Sequence, residues 1–218
     1  MIVTVSGACS RAGKTAAAVS LVEAIPSRNA VAVKFTTTDD VFERCPRGKP
    51  CVVCDIEVPF RLIEDPQVLH EAGTDTQRLS AAGARRVVWV IAKRTHAPEA
   101  WGTVRSSLRG DEPVVIEGST VVGIARPDRN VFVVHPFLAP ERWKAGSEDL
   151  VRAADVVVVN IRAKERRAPA QSVIAALERW RGGREIRVAN VTRPIAEWAP
   201  DLQSRLAEHS FNEDLARA

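Results

Sequence analysis

The sequence contains no tyrosine, and phenylalanine and tryptophan together make up only 5% of it. Proteins that hold single-stranded nucleic acid stack its bases on aromatic side chains, and this chain has no such platform. It also lacks an apolar run near the length of a membrane span and a basic-then-apolar leader, so nothing marks insertion or export and a cytoplasmic protein is expected. A large excess of one charge is missing as well. The 31 Lys and Arg residues face 27 Asp and Glu, leaving a formal net charge of +4, and the positive residues are mostly arginines scattered among acids. That distribution suits a solvated surface better than a footprint for nucleic acid. No repeat or low-complexity tract interrupts the 218 residues, which are 45% hydrophobic and 27% charged. A single globular domain over residues 1–218 is expected.

What is present is concentrated at the start. Residues 2–5 (IVTV) read as a short buried strand, a glycine-bearing loop follows, and an apolar run long enough for three helical turns comes next. The loop has the pattern Ala8-x-x-x-x-Gly13-Lys14-Thr15 of a P-loop, with Gly7 one place before the usual first glycine. In such a loop the backbone N–H groups of Ser10, Arg11, Ala12, Gly13, Lys14, Thr15 and Ala16 can curl around a phosphate at a helix N-terminus. Lys14 is expected to reach the β- and γ-phosphates of ATP or GTP, and Thr15 to place its hydroxyl on Mg²⁺.

Downstream, strands are expected at residues 30–35, 86–92, 114–116, 130–135, 155–160 and 185–191, and helices at 74–83, 98–108, 147–153, 169–180 and from 201 to about 216. Strands alternating with helices at this spacing give an α/β fold, a mostly parallel sheet with helices on both faces. Between residues 41 and 60 the period is lost, and an inserted loop rich in Cys, Pro and Gly is expected.

A P-loop needs a carboxylate at a neighbouring strand end to position magnesium or water. Glu117, followed by Gly118, closes the strand 114–116, and Asp39 and Asp40 follow the strand 30–35. The alternative for each of these three acids is a turn residue in water. Asn160 ends another strand, where its amide can face a purine edge or satisfy local backbone. The basic group Arg162, Lys164, Arg166 and Arg167 reads as a phosphate clamp or as a solvated loop. Cys45, Cys51 and Cys54 are spaced C-x5-C-x2-C; the two-residue gap suits two thiolates on one metal, and the three are candidate ligands of Zn²⁺ or an iron–sulfur cluster. A fourth ligand could be Asp55, His70, a partner's cysteine or a substrate atom, and the alternative is a reduced loop holding no metal.

The P-loop, the strand end VKFTTTDD, the segment GTDTQRLSAAGA at 73–84 and the strand end VVIEG together resemble the molybdopterin-guanine dinucleotide biosynthesis protein B family. These are small P-loop NTPases of the signal-recognition and MinD type, and the resemblance covers about residues 1–120. It implies phosphate binding by Gly13, Lys14 and Thr15, and metal or water positioning by Glu117 and by Asp39 or Asp40. It further implies a structural or substrate-facing role for Asp75 and Arg78, slow GTP hydrolysis in molybdenum cofactor maturation, and dimers. Asn160 matches a base-contacting position of the wider superfamily, and Glu117-Gly118 is similar to a magnesium-binding strand end of dethiobiotin synthetase. The chain departs from the family in carrying threonines where histidines are usual beyond the second strand, and Cys9 where the MinD branch has a second lysine. The reading is a Mg-GTP or Mg-ATP NTPase in cofactor or metal-centre biosynthesis. Its alternatives are an ATP-dependent kinase or ligase acting on a small acid, and a nucleotide-switched adaptor with little turnover.

Overall fold

The computed structural model describes the chain except residues 27–28, 39–56, 111, 163, 166 and 218, with side chains described through residue 208. Asp39, Asp40, Cys45, Cys51, Cys54, Asp55 and Arg166 therefore lie outside the described residues. Eight strands form one sheet: β1 (Ile2–Gly7), β2 (Val31–Thr38), β3 (Phe60–Ile63), β4 (Arg86–Lys93), β5 (Val114–Glu117), β6 (Arg129–Val134), β7 (Val156–Asn160) and β8 (Arg187–Ala189). Their order across the sheet is β3-β4-β2-β5-β1-β6-β7-β8. Every pair is parallel except β3, which runs antiparallel to β4. The helices are α1 (Lys14–Glu23), α2 (Pro66–Leu69), α3 (Asp75–Ala81), α4 (Ala97–Ser106), α5 (Val122–Ala125), α6 (Ser147–Ala153), α7 (Gln171–Arg181), α8 (Ile195–Trp198) and α9 (Pro200–Arg217).

The valine-rich strands are buried on both faces, as parallel strands under crossover helices must be. Alternate residues divide between two layers. Val3, Val5, Ala32, Val115, Val131 and Val158 pack in one cluster with Leu21 of α1, Leu79 of α3, Trp198 of α8 and Leu206 of α9. On the other face Val33, Val90 and Ile116 meet Trp101 and Val104 of α4, and Phe132, Val134, Val157 and Val159 meet Val151 of α6 and Leu177 of α7. A buried polar seam lies in the sheet centre, where Thr4 and Ser6 donate to Asn130 Oδ1 at 2.9 and 3.2 Å.

Three differences from the sequence reading have physical causes. β2 runs on through Thr36, Thr37 and Thr38, which stay in register with β4, and Trp89 Nε1 donates to Thr36 Oγ1 at 3.1 Å. Threonine is β-branched, so a polar run of it extends a strand rather than ending one. The aperiodic stretch closes at Phe60, where the four-residue edge strand β3 begins; a strand that short carries too few alternations to be seen. The last strand is three residues, because Val191 turns its N–H away from the ladder to Asn160 Oδ1 at 3.2 Å. No helix among the described residues is long and apolar enough to cross a membrane.

Candidate functional site

β1 sits between β5 and β6, and the loop from Gly7 to Gly13 leaves its carboxyl end to start α1. Open parallel sheets bind ligands where strand order reverses in this way. Gly7 explains the alanine in the motif: a Cβ there would stand 2.6 Å from Val133 O on β6, so the position that must be glycine is the one before Ala8. Ala8 is fully buried, and Lys144 N donates to its carbonyl at 2.8 Å. Gly13 has φ 112°, and a Cβ there would lie 2.2 Å from Asn160 Nδ2. It caps α1 without a side-chain hydrogen bond. The first N–H groups of the helix are thus left to an anion, as the macrodipole also favours. Lys14 Nζ donates to Cys9 O of its own loop at 2.6 Å. Burial, then the charge of Lys144, pushes the Lys14 ammonium down to about 8, with Glu117 pulling the other way. Bound phosphate charge would reverse that shift.

The carboxylates come together through register and face. Lys34 and Glu117 are direct partners between β2 and β5, and both follow the alternation that faces α1 and α3. Lys34 Nζ pairs with Glu117 Oε1 at 2.7 Å and with Asp75 Oδ2 at 2.6 Å. Asp75 opens α3 directly after the N-cap Thr74, and its Oδ1 accepts from Thr15 Oγ1 at 2.8 Å. Burial alone would raise the carboxyl of Asp75, but Lys34 and the Thr15 hydroxyl hold it below its ordinary value. Burial alone would likewise lower Lys34, and the two carboxylates more than offset it, so the ammonium is held above its ordinary value. Glu117 is 2% exposed, and its Oε2 has no hydrogen-bond partner. A buried carboxylate oxygen left unpaired is costly, and here it sits with a hydroxyl and a second carboxylate, the oxygen donor types that Mg²⁺ takes. The residues present fit that ion. Among the described residues no group of three or more His, Cys, Asp or Glu could hold a metal by itself.

Around this centre opens a cleft of about 1800 Å³. Among the described residues Arg11, Lys14, Lys34, Arg78, Arg94, Lys144, Arg162 and Lys164 line it against Asp75, Glu117 and Asp149, eight positive side chains to three negative ones, beside a formal net charge of +4 for the whole chain. Arg162 and Lys164 of the basic group thus reach the cleft, whereas Arg167 stacks on Phe137 with its guanidinium 3.8 Å from the ring centre. Ser10 and Ala16 lie on the cleft wall, and Ala12 is buried behind it. Asn160 lines the cleft too, but its amide is engaged by backbone at both ends: Nδ2 donates to Ala12 O at 2.9 Å and Oδ1 accepts from Val191 N. It braces the loop against the β8–α8 connection. Cys9 stands where the MinD branch has a lysine. Burial raises its thiol above the ordinary value despite Lys14 and Lys144, so it supplies no charge at neutral pH.

Sequence reading did not find Lys34, the link between Thr15 and Asp75, or Lys144. Lys34 had a signal: it is the one charged residue in the strand VAVKFTTT. Asp75 had a weaker one, an acid just inside a helix that begins at Thr74. Nothing in the residues around Lys144 marks it.

The strand–loop–helix at β1, the sheet order and the helices on both faces define an α/β P-loop NTPase fold. No protein-family model matches the chain, and no curated protein matches it. Among solved structures, HypB from Helicobacter pylori in complex with nickel is similar at 11% sequence identity, covering 97% of this chain and 87% of that one with a TM-score of 0.49.

Proposed function

We propose that the chain binds a magnesium complex of ATP or GTP at this loop and cleaves its γ-phosphate in cofactor or metal-centre biosynthesis. The observation that carries the reading is the network that joins Thr15, Asp75, Lys34 and Glu117, with Glu117 Oε2 unpaired, beside the loop lysine Lys14, whose charge Glu117 favours. The biosynthetic role, of the molybdenum-cofactor kind, has for support the resemblance of residues 1–120 alone. Magnesium, when bound, neutralises phosphate charge that the loop amides alone could not. The chain's own part is positioning. Loop N–H groups and Lys14 hold the phosphates, Thr15 and Asp75 present oxygen donors, and Glu117 orients metal or water from a water-poor position.

Thr15→Ala is expected to raise the Mg²⁺ concentration for half-maximal turnover roughly tenfold, the loss of one charge-assisted contact of about 1.5 kcal/mol. A magnesium titration of the rate measures it. The three thiols, if they form a site, should carry about one equivalent of zinc or iron through anaerobic purification, lost in Cys51→Ser plus Cys54→Ser; elemental analysis decides this.

The cleft favours a second reading within the same chemistry. Single-ligand pockets run to about 1,000 Å³, and this one is larger, with an excess of positive side chains among its described lining residues. An acidic small molecule beside the nucleotide, as acceptor in a kinase or ligase, suits that space. A phosphate-release assay on the full chain tests both readings. Magnesium-dependent release supports the hydrolase, release or nucleoside diphosphate formation only with an added acid supports the acceptor reading, and a bound nucleotide that never turns over leaves a switched adaptor.

A further inference from the structure

Lys34 is an unusual neighbour for a magnesium pocket. Its ammonium stands between the two carboxylates that would serve the ion, 2.6 Å from Asp75 Oδ2 and 2.7 Å from Glu117 Oε1. The lysine is itself only 19% exposed, and Glu117 2%. The ammonium is fixed by architecture rather than by side-chain chance: Lys34 and Glu117 are paired in register across β2 and β5, and α3 delivers Asp75 from the layer above. The same carboxylate of Asp75 holds the Thr15 hydroxyl on its other oxygen, so the ammonium and the loop are joined through one residue.

We propose that Lys34 is a displaceable counter-ion of this pocket, a tethered cation that holds Asp75 and Glu117 until metal and nucleotide arrive together. The inference rests on the nucleotide-and-magnesium reading above. A buried carboxylate, Glu117, beside a half-exposed one, Asp75, needs positive charge in the pocket, and Lys34 supplies it. A divalent ion seated on the same oxygens beside an unmoved ammonium would meet strong repulsion in a partly buried place. The lysine can let go only where another anion takes its charge. The phosphates of a nucleotide on the adjacent loop are such an anion, and they reach the pocket from the Thr15 side. Metal alone should therefore bind poorly, and metal and nucleotide should bind with strong mutual coupling. Once released, Lys34 is a positioning residue for the phosphate end of the nucleotide, on the side of the cleft formed by β2 and β5.

The first test is made without nucleotide, so it stands apart from whether the loop binds ATP or GTP. Mn²⁺ is titrated into the full chain and followed by the free-ion electron paramagnetic resonance signal. Wild type should show no site in the micromolar range, and Lys34→Met should gain one equivalent with at least tenfold tighter binding. Lys34→Arg, which keeps the charge, should behave as wild type. Mn²⁺ should also raise the melting temperature of Lys34→Met more than that of wild type. Should Lys34→Met not fold, ¹⁵N-lysine spectra of wild type decide instead. The Lys34 ammonium resonance, assigned by its loss in Lys34→Arg, should ignore 10 mM Mg²⁺ alone, on the order of a saturating concentration for a weak oxygen site, and move when a magnesium complex of a non-hydrolysable triphosphate is added. Equal Mn²⁺ affinity in wild type and Lys34→Met, or a Lys34 resonance shifted by Mg²⁺ alone, would overturn the proposal. Failure of wild type to bind any nucleotide by calorimetry would instead remove the functional reading and leave the metal result standing.

Discussion

Lys14→Ala is expected to lower affinity for ATP and GTP by roughly a hundredfold or more while leaving the fold intact. The ammonium makes one hydrogen bond, to Cys9 O, and burial together with Lys144 already disfavours its charge. Its removal therefore relieves repulsion from Lys144, which offsets the lost hydrogen bond and the lost attraction of Glu117, and alanine is well suited to the first turn of α1. What is lost is phosphate binding. Two charge-assisted hydrogen bonds of about 1.5 kcal/mol each amount to about 3 kcal/mol, or roughly two decades of affinity. Isothermal calorimetry reads the affinity, and thermal unfolding of the variant should fall within a few degrees of wild type. A variant that binds both nucleotides as wild type does would place the phosphates elsewhere.

Glu117→Gln should act on rate instead. The side chain keeps its shape and can still meet Lys34, but it loses the charge that orients metal or water at the reacting phosphate. Preorganised charge of that kind acts mainly in the transition state and is worth roughly a hundredfold to a thousandfold in kcat. Nucleotide affinity should change less than about threefold, because the loop and Lys14 hold the phosphates. Phosphate release under saturating nucleotide, set beside the calorimetric affinity, separates the two effects. An unchanged kcat would move the role to Asp75, or to Asp39 or Asp40.

The parts of this site that were legible in the sequence are those whose chemistry is local. A P-loop works through consecutive backbone N–H groups, so Gly13, Lys14 and Thr15 announce it within one short stretch, and Glu117 is visible because it closes an apolar strand. The missing parts depend on which strands become neighbours. Thr15 and Asp75 are 60 residues apart, Lys34 and Asp75 41, and Lys34 and Glu117 83. Those contacts exist because β5 inserts between β1 and β2, an order that no hydrophobic period encodes. Asn160 shows the same limit from the other side. The sequence offered a base contact or a local backbone bond, and the structure gives bonds to backbone 148 and 31 residues away. The alanine in the P-loop pattern likewise finds its reason only across the sheet, where Val133 O crowds Gly7.

Lys14, Thr15, Asp75 and Glu117 are proposed to form one magnesium–nucleotide site. Its most direct measurement is equilibrium titration of the full chain with ATP and with GTP, in the presence of Mg²⁺ and again in excess chelator. The account predicts one equivalent bound for at least one nucleotide, weakened about tenfold or more by the chelator and lost in Lys14→Ala. Saturable binding of neither nucleotide, or binding indifferent to both magnesium and Lys14, would contradict it.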